Sequence, residues 1–291
     1  MKILVYGSRG WIGSQFVSLL KQKEIDFVCG KSRIHNIEDV ENEFEQVKPT
    51  NVISFIGRTH GVIDGKSIST IDYLEHKGKL KENVRDNLYS PVVLSMLCHK
   101  KNIHYVYLGT GCIFKYNKHF TLENGVKEKD DPNFYGSSYS TVKGYTDLLL
   151  KNFFKENVLN LRIRMPITAE NNPRNFITKI TKYEKVCSIA NSMTVLPELL
   201  PYIIDMMENK TVGTINFTNP GVVTHNEILE MYKEIVDPSF TWKNFTEEEQ
   251  NTILKSERSN NYMNTDKLEQ MYPEILDIKS SIRQCLENFK R

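Results

Sequence analysis

Lys2-Ile3-Leu4-Val5-Tyr6-Gly7-Ser8-Arg9-Gly10-Trp11-Ile12-Gly13 is the stretch on which the fold reading turns. Its first five residues form a short apolar run, and a GxxGxxG pattern follows. From Trp11 to Lys23 the apolar positions Trp11, Ile12, Phe16, Leu19 and Leu20 take helical spacing. Strand, glycine turn and helix in that order predict a dinucleotide-binding loop. Gly7, Ser8, Arg9, Gly10, Trp11, Ile12 and Gly13 would let the backbone approach a pyrophosphate at the helix N-terminus.

Working outward, the alternation repeats. Residues 25–29, 51–56, 104–108 and 158–163 read as further strands, and Glu38–Val47 and Ser138–Phe154 as helices. A helix-rich region is expected after the third strand, ending in the stretch from Val84 to His99. Short, continuous apolar strands alternating with helices predict an α/β fold, a doubly wound parallel (Rossmann) sheet buried on both faces. Beyond Pro166 the alternation stops, apart from a returning strand at 212–217. The expected division is a nucleotide-binding domain over 1–165, joined by that strand, and a smaller C-terminal substrate-binding lobe over 166–291.

Bulk properties narrow the class. The 291 residues carry 38 Lys+Arg against 36 Asp+Glu, a net charge of +2, which argues against a nucleic-acid or anionic-membrane binder. Cys29, Cys98, Cys112, Cys187 and Cys285 are odd in number, with no CxxC pair. That spacing argues against a disulfide framework or a metal site and fits a reducing, cytoplasmic compartment. No apolar stretch approaches the roughly 18 residues of a membrane span.

The end of the second strand bears on the cofactor. Cys29-Gly30-Lys31-Ser32-Arg33 has no acid to hold a ribose 2′-hydroxyl. Lys31, Ser32 and Arg33 are instead suited to a 2′-phosphate, so NADPH (NADP) is expected over NADH. Solvated surface charge is the competing reading of these three residues.

Tyr139 and Lys143 form a YxxxK pair, which one helix face brings together. A nearby ammonium favours the phenolate and would lower the tyrosine pKa toward the working range. Thr110, just after the strand at 104–108, joins this set. Cys112 lies two residues further on, where a thiol could act as a base in an electropositive setting.

With these residues in view, the chain resembles the extended short-chain dehydrogenase/reductases. It is most similar to the plant-type nucleotide-rhamnose synthase/epimerase-reductases, which are related to dTDP-4-dehydrorhamnose reductase. The segments YGSRGWIG, GTGCIF, PNFYGSSYSTVK, LRIRMPIT, NPRNFITKITKYEKV and NFTNPGVVTHNEILEMYKE carry the resemblance over nearly the whole chain. It implies conversion of UDP-4-keto-6-deoxyglucose to UDP-L-rhamnose, by epimerisation at C3 and C5 and NADPH reduction at C4. It also implies that Cys112 and Lys179 exchange the C3 and C5 protons. Gly57, Thr59, Asn87 and Pro166 then fall beside the cofactor, and Arg174, Asn175 and Arg258 become candidates for the nucleotide diphosphate. An upstream 4,6-dehydratase is implied as pathway partner, and a homodimer is left open. Between His60 and Glu82 the chain is longer than the family pattern, and this segment is placed beside the cofactor or substrate mouth.

Three alternatives compete. A reductase alone would need Thr110, Tyr139 and Lys143 but neither Cys112 nor Lys179. A non-catalytic NADP-binding regulatory subunit would need none of these side chains. A UDP-sugar 4-epimerase would favour tightly held NAD, against Lys31, Ser32 and Arg33.

Overall fold

Residues 1–289 are described in a computed structural model of the chain. The first half runs β1 (Ile3–Tyr6), α1 (Trp11–Gln22), β2 (Phe27–Cys29), α2 (Ile37–Val47), β3 (Asn51–Ser54), β4 (Gly61–Ile63) and β5 (Lys66–Ile68). Then come α3 (Leu80–Val84), α4 (Ser90–Lys100), β6 (His104–Thr110), α5 (Ser138–Phe153) and β7 (Val158–Ile163). The rest runs α6 (Phe176–Ile180), β8 (Lys185–Val186), α7 (Leu196–Glu208), β9 (Gly213–Asn216), α8 (His225–Ile235) and β10 (Lys243–Asn244). Three helices close the order: α9 (Glu247–Ile253), α10 (Asp266–Met271) and α11 (Ile278–Glu287).

Six strands form one parallel sheet in the order β2-β1-β3-β6-β7-β9. The returning strand is β9, with Gly213 opposite Leu159. Side chains alternate across each strand, so the sheet feeds two cores. Ile3 and Val5 face α1 and α7 through Phe16, Leu20, Leu199 and Ile203. Leu4 and Tyr6 face α2 and α4 through Val40, Phe44, Leu94 and Cys98. Helix α7 thus packs on the sheet although it follows Pro166. A separate cluster, including Ile167, Ile177, Val223, Ile228 and Ile282, forms the core of the C-terminal lobe.

Two buried polar ties fix helix α5, which bears Tyr139 and Lys143. Arg162 on β7 is fully buried and grips Asp147 with Nε (2.9 Å) and Nη2 (2.6 Å). The pair is bidentate, which offsets the cost of burying both charges. The second tie is a π-helical turn, Arg85–Tyr89, between α3 and α4. There the Thr146 hydroxyl donates to the Asn87 carbonyl at 2.7 Å. A π turn displaces carbonyls from the regular ladder, and this hydroxyl from α5 takes one.

The helix-rich expectation after β3 fails over its first half. Residues 61–68 form a β-hairpin, followed by a 3₁₀ turn at Ile71–Glu75. The cause is local. Asp64 (φ 47°) and Gly65 (φ 76°) take the paired left-handed conformation of a two-residue hairpin turn, for which Asp-Gly is a favoured sequence. Helix begins only at Leu80.

Candidate active site

The glycine loop has the shape its sequence predicts. Gly7 sits at φ 72°, and a Cβ there would lie 2.8 Å from the Phe55 backbone. A Cβ on Gly13 would lie 2.3 Å from the Gly7 carbonyl, so α1 packs directly on the turn. Gly10 is the N-cap of α1 and offers no side chain to its first turn. The leading N–H groups are thus left to an external anion, which fits a dinucleotide pyrophosphate. Phe55 leads into the loop carrying Gly57 and Thr59, which places those residues next to the cradle. Pro166 is half-buried and its carbonyl accepts from Phe176 N (3.1 Å).

At the end of β2 the side chains of Lys31 and Arg33 are exposed, as a 2′-phosphate site would require. The sequence shows no acid there, but space supplies one. Glu43 on α2 accepts from Lys31 N (2.7 Å), Ser32 N (3.3 Å) and Tyr6 Oη (2.7 Å). Burial pushes the Glu43 carboxyl up, and these donors more than offset it. Its oxygens hold the β2–α2 turn in shape, and the two cations stay free of it.

Thr110, Cys112, Tyr139 and Lys143 gather at the C-terminal end of β6. Thr110 closes the strand, and its Oγ1 accepts from Cys112 N at 3.1 Å. Ser137 caps α5 by accepting from Ser140 N (3.0 Å), which starts the helix that presents Tyr139 and Lys143. Tyr139 is almost wholly buried and packs with Cys112. Burial, then Cys112, push its phenol above the ordinary value, against the Thr110 hydroxyl, which pulls it down. Tyr139 is therefore a protonated phenol at neutral pH.

The hydrogen bonds of the Lys143 amine run to β6. Lys143 Nζ donates to the Tyr107 hydroxyl and, at 3.4 Å, to the Leu108 carbonyl. It lies 4.4 Å from the Tyr107 ring centroid. Burial drives the Lys143 amine down to about 7, with Asp147 and Cys112 opposing. A lysine near neutrality is poised to exist in either form at working pH.

One neighbour escaped the sequence reading. Arg164 is 1% exposed, and Nη1 lies 3.8 Å from Cys112 Sγ. Its other bonds go to the Gly111, Ser192 and Ser259 carbonyls, the Ser259 hydroxyl and Asn191 Oδ1. All of these acceptors are neutral, so the buried guanidinium brings positive charge to the thiol. The sequence signal is present in LRIRMPIT: Arg162 on β7 and Arg164 just past its end stand in a segment otherwise made for burial.

Lys179, Arg174 and Arg258 form a second group. Burial, then Arg174 and Arg258, push the Lys179 amine down. His60 Nε2 accepts from Arg174 Nη2, and burial with the neighbouring cations holds its imidazole neutral, at about 4. Clustered cations suit a diphosphate. Arg258, however, is bidentate to Asp72. Asn175 and Asn87 stand behind the site. Asn175 caps α6 and bonds the Thr168 and Glu170 carbonyls. Asn87 bonds both backbone groups of Arg58 (2.9 and 2.8 Å) and so holds the loop after β3. Both side-chain amides are occupied by the protein itself, so these residues shape the site from within the fold.

The 60–82 segment touches both groups. Ile63, Ile68, Ile71, Tyr73 and Leu74 pack with Tyr139 and Cys112. Asp72 holds Arg258, and Glu75 accepts from Ser138 N at the start of α5 (2.7 Å).

Residues 3–185 match the NAD dependent epimerase/dehydratase family. The chain belongs to that family. It is 54% identical over 291 residues to protein L780 of Acanthamoeba polyphaga mimivirus, covering 100% of this chain and 99% of that protein. The crystal structure of L780, described as a UDP-rhamnose synthase, superposes with a TM-score of 0.94 over 99% of both chains. An Arabidopsis thaliana bifunctional dTDP-4-dehydrorhamnose 3,5-epimerase/dTDP-4-dehydrorhamnose reductase is 45% identical over 283 residues, 96% of this chain and 90% of that one. A trifunctional UDP-glucose 4,6-dehydratase/3,5-epimerase/reductase of the same plant is 43% identical over 97% of this chain, which spans 41% of it. Family membership makes this chain an enzyme on an α/β dinucleotide-binding fold. Among the described residues no helix is long and apolar enough to cross a membrane.

Proposed function

We propose that the chain is a bifunctional 3,5-epimerase/4-reductase that converts UDP-4-keto-6-deoxyglucose to UDP-L-rhamnose with NADPH. The observation that carries it is the meeting of Cys112 with Thr110 and Tyr139 at the end of β6. A candidate carbon base then stands beside a candidate proton donor to the C4 oxygen. The relatives named above carry such activities in their descriptions, which supports the reading.

A 4-keto group makes the C3 and C5 hydrogens acidic, because the resulting carbanion is an enolate. Cys112 Sγ removes such a proton, and Lys179 returns one from the opposite face. Burial among cations makes the Lys179 ammonium readier to give up its proton, which suits an acid. Bound NADPH supplies the reducing equivalent for C4. Tyr139, held protonated, delivers the proton to the developing C4 alkoxide, and Thr110 orients the same oxygen. Gly7, Gly10, Gly13, Lys31 and Arg33 hold the cofactor, and Arg174 receives the diphosphate, Arg258 being committed to Asp72. A 4,6-dehydratase supplies the keto-sugar, as the dehydratase portion of the trifunctional relatives suggests.

The test is deuterium incorporation. Enzyme in deuterated water with the keto-sugar and no NADPH should exchange C3 and C5 hydrogens, and NADPH should add the rhamnose product. Cys112→Ser and Lys179→Ala should each slow exchange about 10²–10⁴-fold. If both leave exchange unchanged, the chain is a reductase only.

A further inference from the structure

We infer that Tyr107 is a positioning residue of the reductive step: its hydroxyl holds the Lys143 amine in place beside Tyr139. This rests on the reading of Tyr139 and Lys143 as the reductive pair. Tyr107 lies in the middle of β6, is 1% exposed and packs within the α2–α4 core. Packing alone asks only for a ring. A phenol oxygen at that depth costs free energy unless it is bonded. Here it accepts from Lys143 Nζ, and the ring it belongs to lies under the same cation.

The other groups facing Lys143 do not replace this contact. From β6 comes the Leu108 carbonyl at 3.4 Å. From the loop beyond it comes Cys112, which is already beside Arg164. On α5 itself, Tyr139 bonds Thr110, and Asp147 acts from a distance. Asp147 is committed elsewhere, since its oxygens take Arg162 Nε and Nη2 and Asn160 Nδ2. Tyr107 Oη is therefore the close side-chain acceptor that supports the ammonium. With burial already drawing Lys143 down to about 7, its protonation near neutral pH is sensitive to one hydrogen bond. Burial pushes the Tyr107 phenol far up, so it serves as a neutral acceptor throughout.

The test is Tyr107→Phe, which removes one oxygen and keeps the ring. The measurement is the pH profile of C4 reduction of a supplied, already epimerised keto-sugar. A bond to a charged group sets the expected shift: the alkaline limb should move down by about 1–2 pH units. NADPH-free deuterium exchange at C3 and C5 should stay near wild type, because that step uses Cys112 and Lys179. The limb position does not depend on how much enzyme is folded, so partial destabilisation leaves the readout intact. An unmoved limb, whether or not the rate falls, overturns the assignment and leaves Tyr107 a packing residue. Tyr139→Phe is run in parallel. If that variant keeps full reduction, it is the parent reading that fails.

Discussion

Asp72 and Arg258 join the 60–82 segment to the C-terminal lobe, with Arg258 Nη2 2.6 Å from Asp72 Oδ2 and Nη1 3.2 Å from Oδ1. The Ser256 hydroxyl also donates to Asp72 Oδ1, at 2.8 Å. Burial raises the Asp72 carboxyl, but Arg258 and the two hydroxyls hold it below the usual range. The pair is only partly shielded, so its worth is modest. Asp72→Asn should make amide exchange across residues 61–75 faster by about tenfold. Hydrogen-exchange mass spectrometry reads this directly, and unchanged protection would mean that the apolar contacts alone hold the segment.

Cofactor preference should follow Lys31 and Arg33. NADPH should bind more tightly than NADH, by quenching of Trp11 and Trp242 fluorescence. Lys31→Ala with Arg33→Ala should weaken NADPH by about tenfold or more, through lost charge-assisted bonds, and change NADH little. Equal wild-type affinity for the two cofactors would remove the 2′-phosphate argument.

Lys143 should cost stability and supply activity. Its folded pKa, about 7, is depressed from 10.5, so the unfolded chain binds the extra proton between those values. Stability therefore rises with pH across that window, and the penalty of the buried ammonium is fully present below it. Lys143→Met should lose C4 reduction and raise the melting temperature at pH 6 more than at pH 9. A melting temperature lower than wild type at pH 6 would show that the Tyr107 contact outweighs the burial cost.

Asn87 tests the architecture rather than the chemistry. Asn87→Ala removes bonds to Arg58 N and O and to Asn83 Oδ1, all at 2.8–2.9 Å in a buried setting. The expected loss is about 1–3 kcal/mol of stability, from backbone groups left unpaired. Cofactor affinity should fall as well, since the loop after β3 abuts the glycine turn. Denaturant unfolding with and without NADPH separates the two effects.

Much of this was legible in the chain because the signals were local. A glycine pattern between strand and helix reports a single turn, and β1, β2, β3, β6 and β7 of the six-stranded sheet are short, mostly apolar runs. Thr110, Cys112 and Tyr139 came out together because β6 and α5 are sequential elements of one sheet layer. What the sequence hid was pairing at long separation. Glu43 reaches the β2 end from α2, Arg258 meets an acid 186 residues away, and Lys143 bonds Tyr107 on β6. Each depends on the direction a side chain takes in three dimensions, which spacing along a helix does not fix. The hairpin at 61–68 was missed for another reason: Asp64-Gly65 is a strong turn signal, but its flanks are too short to read as strands.

The roof formed by Ile63, Ile68, Ile71, Tyr73 and Leu74 has a kinetic consequence. Its apolar side packs on Tyr139 and Cys112, so whatever loosens it also opens those groups to water. Two tethers tie that segment down, Asp72 to Arg258 and Glu75 to Ser138 N. Loosening a tether should quicken release and let half-finished ketone escape before it is reduced, trading throughput against fidelity of the product.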